Sequence, residues 1–115
     1  MDWPAFLNDT NRQLASFREA QPEAQQGFAQ LARAATRPGA LDPKTKELIA
    51  LAIGIAAHCD ACIGFHVRAA RRHGAAREEI AETVAMCLYM GGGPSLMYGA
   101  KALDAFDQFA AAETA

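Results

Sequence analysis

Alanine is the commonest residue of this chain, and valine, isoleucine and threonine are sparse beside it. Alanine loses no side-chain entropy in a helix, whereas β-branched residues favour strands, so the composition favours an all-α fold. The length of 115 residues suits one domain, and the 51% hydrophobic content is enough for a core. We therefore expect an all-α domain spanning 1–115, and not a disordered chain or two separate cores.

Capping residues, prolines and glycines divide the chain into six predicted helices. Asp2 and Asp42 each stand just before a proline or one residue from it, which is typical of a helix start, and Gly74 is typical of a helix end. The predicted helices cover 3–20, run from Pro22 to a break at Arg37, begin at Pro43, cover about 60–74 and about 77–90, and begin again at Pro94. The sequence therefore predicts a six-helix bundle.

Apolar periodicity predicts which helix faces are buried. The third helix has almost no polar face and is expected to be the buried central element, while the alanine-rich end at 110–115 is expected to fray. The predicted apolar faces are Trp3, Phe6, Leu7, Leu14 and Phe17; Ala24, Phe28, Leu31 and Ala35; Ile80, Val84, Cys87 and Leu88; and Leu96, Ala100, Leu103 and Phe106.

The charge balance argues against nucleic acid as a partner. Eleven basic and thirteen acidic residues give a net charge of −2, and no basic block is long enough to follow a row of phosphates. The first residues lack the basic and apolar regions of a secretory signal, and the apolar run at 48–57 is too short to span a bilayer. We expect a cytoplasmic protein with no membrane partner.

The reactive side chains are concentrated between Glu47 and His66. Cys59, Cys62 and His66 follow each other at i, i+3 and i+7, which places them on one helix face. Cysteines three apart at a helix start have Cα atoms roughly 5–6 Å apart, within disulfide range, and the helix N-terminus favours thiolate. A reversible Cys59–Cys62 bond is therefore expected.

Glu47 is the expected partner of His66. If the third and fourth helices form an antiparallel hairpin, a long glutamate side chain reaches most of the way to the imidazole. Gly54 lies on the same stripe as Glu47 and has no side chain, which allows the fourth helix to approach closely. The spacing thus supports a Glu–His–Cys proton relay.

The same residues resemble a known family. Lys46-Glu47-Leu48-Ile49-Ala50-Leu51-Ala52, then Cys59-x-x-Cys62-Ile63-x-x-His66 and Gly74-Ala75-x-x-Glu78-Glu79-Ile80, resemble the alkylhydroperoxidase D-like branch of the carboxymuconolactone decarboxylase family. The resemblance implies a helical fold and a thiol-dependent peroxidase that needs no metal or organic cofactor. It further implies a hydroperoxide substrate, a thiol reductant of unknown identity and a homo-oligomer, either a trimer or a hexamer.

By resemblance, Cys62 attacks the peroxide, Cys59 resolves the sulfenic acid to a disulfide, and His66 with Glu47 relays the proton. Position at a helix start favours Cys59 as the attacking residue instead, so the order stays open. Ala61 stands where the founding peroxidase has a histidine, and His58 is a candidate substitute.

Three other interpretations remain at this point. His58, Cys59, Cys62 and His66 form a Cys₂His₂ set that suits zinc, although structural zinc sites usually draw their pairs from separate segments. A decarboxylase-type enzyme would use His66 and Glu47 as acid and base, and a redox-sensing oligomeric module would use the disulfide without turnover.

Outside this segment the sequence favours structural roles. Cys87 lies on an apolar stripe and is expected to pack in the core. The Arg68, Arg71 and Arg72 group is expected to be a solvated face, although positive charge beside cysteines also lowers thiol pKa values. The large apolar residues Met86, Tyr89, Met90, Met97 and Tyr98 suggest a contact between subunits.

Overall fold

Six α-helices and no strand make up residues 1–114, the part of the chain that the computed structural model describes. The predicted all-α fold is confirmed. The helices are α1 (Trp3–Ala20), α2 (Pro22–Thr36), α3 (Pro43–Ala56), α4 (Asp60–Arg72), α5 (Arg77–Gly91) and α6 (Gly93–Thr114).

The helix ends follow the expected capping chemistry. The Asp2 carboxylate accepts a hydrogen bond from the Ala5 backbone N–H at 3.1 Å, and Asp42 accepts one from Thr45 at 2.7 Å. Gly74 and Gly92 follow α4 and α5 with φ values of +92° and +74°, a region that costs glycine little. The α5 helix runs one residue further than predicted, and α6 begins one residue earlier.

The core lies between the α3–α4 hairpin and α6, with α5 on one side and the start of α1 on the other. Trp3 fastens α1 to this core because its ring is fully buried and its indole N–H donates to Asp104 Oδ2 at 3.0 Å. The largest fully buried side chains are Trp3, Leu7, Leu51, Ile55, Ile63, Val67 and Ile80.

The expectation for α2 is wrong, because none of its residues is buried. Phe28 and Leu31 on its predicted apolar face are 65% and 63% exposed. The helix contacts α1 and α3, and the Lys46 ammonium of α3 donates to the backbone carbonyls of Ala35 and Arg37 at 2.9 and 2.6 Å.

The predicted burial of α3 is only partly correct. Leu51, Gly54 and Ile55 are buried, but Ile49 and Ile53 face outward because no other helix covers that side. Leu14 and Phe17 of α1 and Leu88 of α5 are likewise exposed although they belong to predicted core faces.

The buried stripe of α6 is shifted by one residue from the prediction. Its buried residues are Ser95, Gly99, Ala102, Ala105 and Phe109, while Leu96 and Ala100 are exposed. Small residues face the core because α5 comes close: a Cβ on Gly99 would lie 2.5 Å from Val84 Cγ1. The expected fraying from Ala110 is also wrong as far as Thr114, where Glu113 pairs with Arg71; Ala115 lies outside the described residues.

Candidate active site

A short turn between α3 and α4 carries both cysteines of the Cys-x-x-Cys motif. The N–H groups of His58 and Cys59 donate to the carbonyls of Ile55 and Gly54 at 3.1 and 3.0 Å, so the turn closes the end of α3. His58 has a φ of +57°, which is uncommon for a residue with a Cβ. Backbone strain of this kind concentrates at functional sites.

Cys59 and Cys62 form a disulfide with a Cα–Cα distance of 5.2 Å. Cys59 is also the N-cap of α4, where its sulfur accepts a hydrogen bond from the Cys62 N–H at 3.2 Å. Gly54 allows α3 to pass close behind, since a Cβ at that position would lie 2.9 Å from Cys62 Cβ. The pair is therefore held between a helix start and the neighbouring helix.

Glu47 and His66 lie together beside this pair. Glu47 Oε2 is 2.7 Å from His66 Nδ1, and their side chains are 12% and 35% exposed. His66 follows Cys62 by four residues on α4, so the two lie on one helix face. A carboxylate on Nδ1 fixes the orientation of an imidazole and leaves Nε2 for proton exchange.

His58 does not join this group. Its ring stacks on Tyr98 of α6, with ring centroids 4.5 Å apart and an angle of 5° between the planes. Within residues 1–114, no three His, Cys, Asp or Glu side chains are arranged to hold a metal ion. The four residues of the zinc hypothesis are thus divided between a disulfide, a hydrogen bond to Glu47 and an aromatic stack.

Sequence reasoning missed Lys101 and Tyr98 as neighbours of the turn that carries Cys59. Lys101 donates to Asp60 Oδ1 at 2.8 Å and lies 4.5 Å from the centroid of the Tyr98 ring. Both α6 residues are about forty positions from the cysteines, and no local pattern marks them. Only the packing of α6 against α4 brings them to the site.

The third cysteine is separate from the site. Cys87 is buried on α5, its thiol donates to the Ala52 carbonyl at 3.7 Å, and burial raises the pKa of the thiol. It borders a mainly apolar cavity of about 310 Å³ between α3, α5 and the start of α6. The predicted packing role of Cys87 is consistent with this placement.

Comparisons with known proteins agree on one family. The model of the carboxymuconolactone decarboxylase family matches residues 22–105. An uncharacterized protein from Cupriavidus necator is 45% identical over 106 residues, which are 92% of this chain and 94% of that protein.

Two crystal structures share the fold. An apo carboxymuconolactone decarboxylase family protein from Legionella pneumophila has 53% identity and a TM-score of 0.90, over 93% of this chain and 96% of its own. A family protein from Thermotoga maritima, described with a possible involvement in antioxidative response, has 30% identity and a TM-score of 0.83, over 94% and 92%.

Proposed function

This chain belongs to the carboxymuconolactone decarboxylase family, and on that basis we propose that it is a thiol-dependent peroxidase acting through Cys59 and Cys62. One observation carries the proposal: the Cys59–Cys62 disulfide lies on the same face of α4 as His66, which is paired with a largely buried Glu47. The antioxidative association of the Thermotoga maritima relative supports the same chemistry.

The reaction begins from the reduced dithiol. The Cys62 thiolate attacks the outer oxygen of a hydroperoxide ROOH, the O–O bond breaks, and the alkoxide takes up a proton to leave as ROH. Cys62 is then a sulfenic acid, and the Cys59 thiol condenses with it to form the disulfide and water. A dithiol donor finally reduces the disulfide and becomes a disulfide itself.

Glu47 and His66 supply the proton transfers in this scheme. His66 accepts the proton of the attacking thiol at Nε2 and returns it to the departing alkoxide, while Glu47 holds Nδ1 and stabilises the imidazolium between the two steps. The scheme assigns both proton transfers of peroxide reduction to His66, and only the reduction of the disulfide needs an external donor. Because the dithiol must be regenerated in each cycle, we place the protein in the reducing cytoplasm.

Two single substitutions and one control test the proposal. Intact mass and a free-thiol count are taken before and after one equivalent of cumene hydroperoxide. The reduced protein should lose two thiols rapidly, Cys62→Ser should lose none, and Cys59→Ser should stop at a sulfenic acid that dimedone traps. Cys87→Ala should behave like the unchanged protein because Cys87 is buried away from the turn.

Thiols that stay free in the presence of peroxide would contradict the proposal. The Glu47–His66 pair would then favour the acid–base alternative, since it is formed while Cys59 and Cys62 are held in the disulfide. If Cys59→Ser loses its reactivity and Cys62→Ser keeps a trapped sulfenic acid, the order of attack is reversed but the redox pair stands.

We further propose that the protein assembles with copies of itself. A single chain leaves Phe28 and Leu31 on α2 uncovered, and the α5 residues Tyr89 and Met90 are 79% and 78% exposed. Monomeric proteins rarely expose so many large apolar side chains in contiguous patches. Other copies of the chain carry the same apolar side chains and cover these faces when they assemble into a trimer or hexamer.

A further inference from the structure

A second cavity of about 320 Å³ opens next to the Glu47–His66 pair. Its volume is within the range of small-molecule sites. The apolar part of its wall comes from Phe65 and Ala69, and the polar part comes from Glu47, His66, Arg68, Arg72 and His73. The cavity therefore joins the proposed proton relay to a group of basic side chains.

The lining of this cavity carries more arginines, Arg68 and Arg72, than carboxylates, which are represented by Glu47. Arg68 forms no ion pair within residues 1–114, and its guanidinium lies over the rings of Phe65 and Phe109 at 5.4 and 6.0 Å. Burial, followed by the charge of Arg72, lowers the pKa of Arg68 from its usual value, and the nearby Glu113 carboxylate partly offsets this shift. Arg72 contacts Glu113 only at 3.5 Å, and Arg71 shares that carboxylate. Arg68, Arg71 and Arg72 thus share the Glu113 carboxylate, which leaves an excess of positive charge to which an anion can bind.

The basic group also lies at a definite distance from the disulfide. Cys62, His66, Ala69 and His73 form one stripe of α4, with spacings of four, three and four residues. At a helical rise of 1.5 Å per residue, Arg68 and Arg72 lie roughly 9 and 15 Å along the axis from Cys62. A molecule bound by an acidic group at Arg68 would have to extend roughly 9 Å along α4, past His66, to come level with Cys62.

We propose that this cavity binds the carboxylate of an amphipathic organic hydroperoxide, with Arg68 as the specificity residue. A guanidinium matches a carboxylate with two parallel hydrogen bonds, and the walls formed by Phe65 and Ala69 suit a hydrocarbon stem. The substrate class rests on the peroxidase function proposed above, whereas carboxylate binding at Arg68 does not depend on it.

The binding test uses a redox-inert probe on the oxidised protein. Octanoate binding is measured by NMR titration, with octanol as the uncharged probe of similar length. Arg68→Gln should weaken octanoate binding by about tenfold or more, since hydrogen bonds to charged groups contribute about 1.5–3 kcal/mol, and should leave octanol binding unchanged. Arg12→Gln is the matched control, because Arg12 is an exposed arginine on α1 that pairs with Asp9 and does not line the cavity.

The kinetic test uses a carboxylated and an uncharged hydroperoxide. Arg68→Gln should raise KM for the carboxylated substrate by about tenfold and leave its kcat unchanged, because Arg68 binds away from the reacting oxygens. Cumene hydroperoxide should show no change. Arg72→Gln should produce a smaller shift of the same kind, and it keeps the test decisive if Arg68→Gln fails to fold.

Octanoate binding that is equal in the unchanged protein, Arg68→Gln and Arg72→Gln would overturn the proposal. Absence of octanoate binding to the unchanged protein would do the same. Octanoate binding that depends on Arg68 supports the anion site, whether or not the thiols react with hydroperoxides. Thiols that react with no hydroperoxide would contradict only the peroxidase function.

Discussion

The His58 ring lies flat against the Tyr98 ring, with centroids 4.5 Å apart, and this stack ties the residue before Cys59 to α6. The residue after Cys59 is tied to the same helix, since Asp60 accepts a hydrogen bond from Lys101. Lys101 also contacts the Tyr98 ring, so the two attachments share a link. The turn that carries Cys59 is thus attached to α6 through the residues on both sides of that cysteine.

Loosening this attachment should weaken the disulfide. Tyr98→Ala removes the stack and the cation–π contact, so the two cysteines are held together less firmly. Aromatic pairs contribute about 0.5–1.5 kcal/mol, which predicts a shift of about two- to tenfold toward the dithiol. The ratio of disulfide to dithiol protein is measured by intact mass in glutathione buffers of defined potential. Tyr98→Phe retains the ring and should show little change; an equal shift in both variants would contradict the explanation.

Gly54 should be intolerant of even a methyl group. In Gly54→Ala the new Cβ would lie 2.9 Å from Cys62 Cβ, so α4 must move away from α3. Overpacking typically costs about 1–3 kcal/mol, which outweighs the gain in helix propensity of roughly 0.5–1 kcal/mol. Urea denaturation of the oxidised protein measures the difference.

Gly27→Ala is the control for this substitution. Gly27 is also inside a helix, but no atom lies within 4 Å of the position of its Cβ. It should therefore gain stability from helix propensity alone, by about 0.5–1 kcal/mol. If the two alanine variants change stability in the same direction, the close approach of α4 is not the reason for the effect of Gly54→Ala.

Glu79 should make the stability of the fold depend on acid pH. Its carboxylate accepts a hydrogen bond from the Ala76 backbone N–H and pairs with Lys44 at 2.9 Å, and these contacts lower its pKa below the ordinary value of 4.5. A carboxyl group whose pKa is lowered by folding stabilises the fold at pH values above its ordinary pKa. This stabilisation is lost as the pH falls through the pKa that the group has in the folded protein. Chemical denaturation of Glu79→Gln against the unchanged protein, from pH 7 to pH 3, should give a difference that shrinks below about pH 4.5.

Glu78→Gln serves as its control, because it removes a charge from the same turn without removing the bond to Ala76. A Glu79→Gln difference that stays constant from pH 7 to pH 3 would contradict this assignment.

Leu31 should matter for assembly and not for the fold of one chain. Its side chain is exposed on α2, so Leu31→Glu in an isolated chain should change stability by no more than about 0.5 kcal/mol. Buried between copies, the same carboxylate would lack a partner and should dissociate the oligomer. Light scattering after gel filtration measures the molar mass, with Gln30→Glu as the exposed neighbour control. An unchanged mass for Leu31→Glu would remove α2 from the interface.

Local sequence signals located the helices and brought Glu47 to His66 and Cys59 to Cys62, but they did not reveal what surrounds these residues. Asp42 and Gly74 mark helix ends because caps and left-handed turns depend on neighbouring residues alone. The contact of Glu47 with His66 follows from the antiparallel packing of two consecutive helices. Tyr98 reaches His58 only through the approach of α6, which no local pattern encodes.

The misplaced stripe of α6 has a similar cause. Hydrophobic periodicity favoured its large residues for the core, whereas close packing of α5 on Gly99 selects its small ones. The exposed face of α2 shows a second limit of hydrophobic periodicity, since here the predicted apolar residues are not buried at all. An apolar stripe predicts that a helix face packs, but it does not specify whether the covering surface lies in the same chain.

The sulfur of Cys59 holds the start of α4 as well as taking part in the disulfide, because it accepts the hydrogen bond from the Cys62 N–H. The residue that replaces Cys59 therefore decides whether a variant tests the loss of the thiol alone or the loss of the helix cap as well. Serine is among the preferred N-cap residues and retains an acceptor, so Cys59→Ser removes the thiol chemistry and keeps the helix start. Alanine removes both, and its loss of activity would confuse an unravelled first turn with a missing nucleophile.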